Sequence, residues 1–340
     1  MDRDLGEAPF TFVVPHFGTS EDSLGLLAET LAGIRAQTDP RWRLCLVDDA
    51  SPIPGLAAKL RELVRPDGDR ATLLLLDQNA GPGACRNLAV GQAFRSGSPV
   101  VLFNDADDVS HPDRVRVVRD VLRAEPEVDF VYSTIEVVDE RLRPVDRSAL
   151  PPPIAEILES HEQPVEGAEA WIRIATETGY TNPTSSTAVR TGLAAACPFP
   201  AARASEDSHA WLRMSASGAV FRFAPQIPTR YRIPTFVSSQ SSRDLLGNDW
   251  FNREKVRRDT EGLFDALQLA AARGAIDRAG ATDVAARFFL RLAVTLERDG
   301  ARDVAELLTR AADRIRAGGL AAFEGDPVAA IFHLPTGGPR

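Results

Sequence analysis

The chain has 340 residues, 44% of them hydrophobic and 26% charged, with 48 acidic against 39 basic side chains and a formal charge of -9. Such a length corresponds to about two domains, with ample material for a sizeable core. An acidic balance without a basic cluster makes the chain a poor candidate for duplex nucleic acid, whose phosphates demand a positive face, and it lacks the attraction to anionic lipid that a polybasic segment gives.

The longest apolar runs, such as Leu73 to Leu76 and Leu193 to Cys197, fall far short of the roughly 20 residues that span a bilayer. The N-terminus is polar and acidic, unlike a secretory signal. Three cysteines, Cys45, Cys85 and Cys197, lack CxxC spacing and suit neither a disulfide framework nor a zinc site. These features predict a soluble, cytoplasmic protein.

Along the chain, Thr11 to Pro15 is a short β-branched run ended by proline and reads as a strand. Leu24, Leu27, Leu31 and Ile34 give the helical spacing of a helix over Leu24 to Gln37. Arg43 to Val47 reads as a second strand, Leu56 to Val64 as a helix and Ala71 to Leu76 as a third, buried strand. Gly83 to Phe94 is a predicted helix and Val100 to Phe103 a fourth strand. Apolar strands alternating with helices predict a mostly parallel α/β sheet covered on both faces. The proline run Pro151 to Pro153 makes Ser148 to Gly167 a loop or linker. Short strands are expected at Thr187 to Val189 and Val220 to Phe223, and an Ala- and Arg-rich helical region from Asp249 to Ala317. Within it Arg278 to Ala285 resembles Arg298 to Ala305, each with a glycine to end one helix and an aspartate to begin the next. Either stacked helical hairpins or composition alone accounts for that match. Pro335 to Arg340 is expected to fray.

In open parallel sheets, ligands bind beyond the carboxyl ends of the strands. The residues there are Pro15, His16 and Phe17; Asp48 and Asp49; Asp77 to Gly83; and Asn104 to Asp108. Neither GxGxxG nor GxxxxGK[ST] occurs, which argues against a dinucleotide dehydrogenase and a P-loop enzyme. Asp105 and Asp107, one residue apart after a buried strand, suit a hard divalent cation, which takes one or two carboxylates plus substrate phosphates. The competing reading is a solvated turn with helix caps at Asp108, Ser110 and Asp113.

Five segments occur in order: TFVVPHFGTSEDSLGLLAETLAGIRAQT, LVDDAS, NAGPGACRNLAV, LFNDADDVSHPDRV and ASEDSHAWLRMSASG. Together they resemble the inverting glycosyltransferases of the family 2-like, GT-A fold group, over about residues 10 to 240. The resemblance implies a GT-A domain over residues 1–240, with a nucleotide-binding half at 10–110 and an acceptor-binding half at 111–240, followed by a helical C-terminal extension at 245–330.

It further implies that Asp49 accepts a hydrogen bond from the nucleotide base, unless it only closes an Asx turn. Phe17, which with Pro15 stands in the family's P-x-Y-N pattern, would stack on the base or be a core residue. Arg86 would reach the nucleotide or form a surface ion pair, while Asn87 supports the loop. Asp105 and Asp107 would hold Mg²⁺ or Mn²⁺ on the diphosphate of a nucleotide-sugar, UDP-sugar by default, with dTDP and GDP open. Asp207 would be the general base, with Glu206 orienting an acceptor hydroxyl or the helix start. Ser205 to Asp207 equally forms a good N-cap with an acidic first turn. The family's Y-R-x-H-x-x-S histidine is replaced by Pro234, leaving Arg230 and Arg232 to neutralise the diphosphate. His111, His161, His209 and His333 read as surface or packing residues, as does Trp211 as core, with Tyr180 and Asn182 candidates for an acceptor pocket.

The expected activity is inverting transfer from a nucleotide-sugar to a small-molecule, glycan or peptide acceptor, with no nucleic-acid partner and a homodimer formed through the C-terminal helices. A nucleotidyltransferase is the rival enzyme, but Pro15 to Ser20 lacks the basic residues a triphosphate needs. A non-catalytic sugar-nucleotide-binding protein is the other, against which stand intact Asp105, Asp107 and Asp207.

Overall fold

A computed structural model describes residues 5–233, 243 and 246–323. Its main sheet holds β1 (Phe10–His16), β2 (Trp42–Asp48), β3 (Ala71–Leu75), β4 (Val100–Phe103), β5 (Val128–Tyr132), β7 (Thr187–Arg190) and β8 (Val220–Phe223), while β6 (Ile135–Val138) and β9 (Thr229–Arg232) form a small second sheet. The order is β3-β2-β1-β4-β7-β5-β8. All neighbours are parallel except β7, which runs against both β4 and β5.

Both faces of the sheet are covered, as continuous apolar runs require. Phe10, Phe12 and Val14 of β1 enter one apolar cluster and Val13 the other, following the period-two alternation of a strand. On the first face lie α1 (Asp22–Arg35), whose Leu27, Leu31 and Ile34 form a buried stripe, and α4 (Arg114–Ala124). The α2 helix (Leu56–Val64) buries Leu56 and Leu60 there too. The opposite face takes α3 (Pro82–Arg95), α7 (Thr191–Ala196) and α8 (Glu206–Ala216).

Three expectations are corrected. β3 is the edge strand, and its residues are only half-buried or exposed, because among the described residues no strand pairs with its outer side. The stretch expected as a loop contains α5 (Pro152–Ser160): prolines are tolerated in a first turn, where amides lack intrahelical partners. Its apolar residue Ile157 packs on Ile135 and Val137. The two similar segments in the helical region are not structural repeats. Arg278 opens one helix, α10 (Arg278–Arg298), whereas its counterpart Arg298 closes the same helix. Gly280 therefore sits in a first turn, while Gly300 takes φ +81° in the link to α11 (Arg302–Gly318). Pro335 to Arg340 and Pro234 lie outside the described residues.

The C-terminal helices share the core of the sheet. One apolar cluster runs from Val13 and Phe103 through Trp211 to Leu263, Phe289, Leu308 and Ile315. The long helix α9 (Asn248–Ala272) lies against α8, with Val256, Leu263, Leu267 and Ala270 buried. Gly262 permits the approach, since a Cβ there would stand 2.9 Å from the Cα of His209. Between α5 and β7 come α6 (Ala170–Arg173) and a π-helical turn at Ile174–Thr178.

Leu263 is fully buried where α9 meets α8. Leu263→Ala is expected to lower the unfolding free energy by about 2–5 kcal/mol, measured by urea denaturation.

Candidate active site

The acidic turn after β4 is fixed from several directions. Asn104, fully buried, donates from Nδ2 to the carbonyls of Asp105 and Asp108 at 2.9 and 3.1 Å, and its Oδ1 accepts from Ser110. The Asp105 amide donates to Ser185 Oγ at 2.8 Å, and Thr30 donates to the Ala106 carbonyl at 2.9 Å. Beneath it, buried Arg114 donates to the carbonyls of Phe103 and Thr187, clamping β4 to the start of β7. The Arg232 amide of β9 donates to Asp108 Oδ1 at 2.8 Å. These bonds pin the turn, whose residues Asp105, Ala106 and Asp107 stay half-buried.

Arg86 joins this turn to the acidic start of α8. From α3 it donates to Asp105 Oδ1 at 2.7 Å and to Glu206 Oε1 at 2.6 Å. Thr184 donates to the other Asp105 oxygen at 2.7 Å. Arg86 is buried, so this is not the surface ion pair that the sequence allows. Burial works against its charge, but Asp105 and Glu206 outweigh that and hold it protonated above the usual arginine range. Glycines make the junction possible. Gly81 takes φ +88°, and a Cβ on Gly83 would stand 2.7 Å from the Pro200 carbonyl oxygen. Asn87 completes it by pairing with both the amide and the carbonyl of Phe199 at 2.9 Å, the supporting role expected of it.

Asp207 follows Glu206 in the first turn of α8. Ser205 does not cap this helix. It takes φ +58°, a strained conformation for a residue with a Cβ, and its side chain makes no cap hydrogen bond. Asp207 Oδ1 accepts from the Ser208 amide at 2.8 Å, and Oδ2 accepts from the Tyr180 hydroxyl. Burial, then the Glu206 charge, pushes the Asp207 carboxyl up to about 6, while Tyr180 and Arg86 pull it down.

On the other side of the site, Asp49 accepts from the amides of Ala80 and Gly81 at 2.6 and 2.9 Å, tying the end of β2 to the approach of α3. Pro15 pairs with Val47 near the end of β1. Phe17, just beyond, is 38% exposed and is not a core residue. His16, buried, bonds Asp48 through Nδ1 at 2.8 Å. Burial raises the Asp48 carboxyl, but the hydrogen bonds from His16 and Ser51 bring it below the ordinary value.

Other candidates lie elsewhere or are spent. Arg230 faces Glu136. Arg232 is buried, and its guanidinium donates to the Asp107 carbonyl and to Glu29, so it braces the turn from below. Trp211 is core, with its ring 5.8, 5.1 and 5.5 Å from those of Phe103, Phe130 and Phe199. Asn182 is buried and bonds Thr187. His161 bonds Thr134 and the Thr181 carbonyl, and buried His209 faces Asp265.

The charge of the site fits a cation. Asp105, Asp107, Asp108, Glu206 and Asp207 share this region with Arg86, Arg114 and Arg232. Burial, then Asp105, pushes Asp107 up to about 6, and burial, then Asp107 and Asp105, pushes Asp108 well above the carboxylate range. Among the described residues no group of three or more His, Cys, Asp or Glu side chains could hold an ion alone.

A mixed seven-stranded sheet with acidic residues at its carboxyl edge and a helical C-terminal region defines a GT-A glycosyltransferase fold. The model of Glycosyl transferase family 2 matches residues 11–185, and the chain belongs to that family. Succinoglycan biosynthesis protein ExoW of Rhizobium meliloti (strain 1021) is 33% identical over 108 residues, 32% of this chain and 32% of that protein. ExoO of the same organism is 33% identical over 108 residues, covering 31% of this chain and 27% of ExoO. The chain thus spans about a third or less of the length of these relatives. Residues 1–349 of S. aureus TarS, solved in complex with UDP-GlcNAc, align at a TM-score of 0.53 and 15% identity over 92% of each chain. The mannosyltransferase PcManGT of Pyrobaculum calidifontis, solved with GDP-Man and Mn²⁺, aligns at 0.51 and 18% identity over 94% of this chain and 81% of that one. At these identities the likeness is one of fold.

Sequence reasoning did not give Arg114, Thr184 or Tyr180 these roles. Arg114 stands in LFNDADDVSHPDRV, where a cation eleven residues past a buried strand is its only signal. Thr184 carries none. Arg86→Met is expected to cost about 3–5 kcal/mol, because it strands Glu206 and Asp105 without their partner; thermal and urea unfolding measure it.

Proposed function

We propose that the chain moves a sugar from a nucleotide-sugar, UDP-sugar foremost, to an acceptor hydroxyl with inversion at the anomeric carbon. The observation that carries this reading is the Arg86 bridge. It holds the acidic turn after β4 and the start of α8 against each other, as one donor and one acceptor meeting at one carbon require. In support, family 2 membership gives the reaction class, and solved proteins of the same fold hold UDP-GlcNAc or GDP-Man with Mn²⁺.

Pro15, Phe17 and Asp49 would receive the nucleoside, with Phe17 exposed and free to stack on the base. Asp105 and Asp107 would hold Mg²⁺ or Mn²⁺, which supplies positive charge to the departing diphosphate. Asp207 Oδ2 takes the proton of the acceptor hydroxyl as its oxygen attacks, and the anomeric C–O bond to the diphosphate breaks. An oxocarbenium-like transition state is expected by analogy with glycoside hydrolysis. Arg86 keeps Asp105 and Glu206 in register throughout. Among the described residues no helix is long and apolar enough to cross a membrane. The buried, unpaired Cys45, Cys85 and Cys197 support a reducing, cytoplasmic setting.

Asp207→Asn is expected to abolish transfer and leave UDP affinity, read by calorimetry, within about threefold of wild type. Because the base must be ionised, the wild-type rate should rise with pH through about 6, the value to which burial and Glu206 bring Asp207. A rate independent of pH between 5 and 8 would remove Asp207 from the reaction. In the presence of UDP, Mn²⁺ should raise the melting temperature of the wild type and not that of the Asp105→Asn, Asp107→Asn double variant.

A further inference from the structure

The family match ends at residue 185, yet the C-terminal helices reach the site from behind. Tyr180 comes after a single π-helical turn, Ile174–Thr178, closed by the Gly179 amide donating to the Ile174 carbonyl at 3.0 Å. Such turns insert one residue into a helix and re-aim the side chains beyond it. Gly179 takes φ +69°, which a residue with a Cβ adopts only under strain. It also has Arg291 of α10 directly against it, since a Cβ there would stand 2.6 Å from Nη1. Arg291 Nε donates to the Ala175 carbonyl at 3.0 Å, and its guanidinium lies over the Phe288 ring, 5.2 Å from the centroid.

The turn gripped in this way delivers the Tyr180 phenol to Asp207. Tyr180 packs on both the main core and the small cluster of Ile135, Val137 and Ile157, which limits the directions its ring can take. Its hydroxyl donates to Asp207 Oδ2. Each carboxylate oxygen has two lone pairs, so Oδ2 keeps one for an acceptor hydroxyl. Burial, then the Asp207 charge, pushes Tyr180 well above its ordinary value, so the phenol remains a donor.

We propose that Tyr180 is a positioning residue for Asp207, and that Arg291 holds the Ile174–Thr178 turn so that the C-terminal hairpin α10–α11 sets the orientation of the base. The inference rests on Asp207 being that base. Facing Asp207 are Glu206 from its own helix, Arg86 from α3, Tyr180, and Tyr231 from β9. Facing Arg291 are Asp259 from α9 and Glu156 from α5. Of these groups, Tyr180 donates a hydrogen bond to the carboxylate, and it is joined to Arg291 through the backbone from Ala175, whose carbonyl Arg291 holds.

The test is a carbon-13 NMR titration of the full chain labelled at aspartate side-chain carboxyls, with the Asp207 resonance assigned by its loss in Asp207→Asn. In Tyr180→Phe, which keeps the ring and removes the donor, the Asp207 midpoint should rise by about one pH unit. In Arg291→Met it should rise by about half as much, and the double variant should exceed Tyr180→Phe by less than the shift of Arg291→Met alone, as for one connected path. Folding is checked by unchanged shifts of the remaining carboxyl resonances. An unmoved midpoint in Tyr180→Phe overturns the positioning contact. A midpoint that moves there but stays put in Arg291→Met overturns the hairpin's part. If Asp207→Asn retains sugar transfer, the base assignment fails on its own, because the titration still reports the Tyr180 contact independently.

Discussion

The buried guanidinium of Arg86 is the constraint on which this site depends. A charge taken out of water is tolerated only when it is paired and hydrogen-bonded. Here its partners, Asp105 and Glu206, come from the turn after β4 and the start of α8, and Glu206 is 120 residues away along the chain. Any arrangement that separates the β4 turn from the start of α8 leaves a buried charge without its counterpart. The same interaction therefore stabilises the fold and brings together the two acidic segments.

Around that bridge the molecule concentrates more negative than positive charge. The turn bearing Asp105 and Asp107 is held by Asn104, Ser185, Thr30 and the Arg232 amide, so it does not relax to spread its carboxylates apart. Burial and the repulsion of neighbouring carboxylates together make ionisation of Asp107 and Asp108 costly. At α8 the strain sits in the backbone of Ser205. The helix that Ser205 leads into is held by the packing of α8 against α9, whose closeness depends on Gly262.

Much of the first half was legible in the sequence because its signals are local. Uninterrupted apolar runs at Val100 to Phe103 and the three-and-four spacing of Leu27, Leu31 and Ile34 reflect burial of one strand or one helix face. Reading failed where a neighbour decides. Ala71 to Leu76 has the same apolar character as a central strand, yet it lies at the edge. Pro151 to Pro153 reads as a break until a surface appears for Ile157 to cover. Ser205 fits the composition of an N-cap, but it takes a left-handed conformation and its side chain makes no cap hydrogen bond.

By itself the sequence determined the first four strands and the helices between them, and where carboxylates follow strands, because periodicity and side-chain chemistry belong to each segment. Which charge meets which was decided only by the tertiary structure. Arg86 reads as a ligand contact or a surface ion pair until Asp105 and Glu206 close on it, and Arg232 as a diphosphate partner until Glu29 takes its guanidinium. Tyr180 gains its contact with Asp207 through a turn that Arg291 holds from more than a hundred residues downstream. Ion pairing and hydrogen bonding act through space over a few ångströms, and no spacing along the chain encodes that proximity.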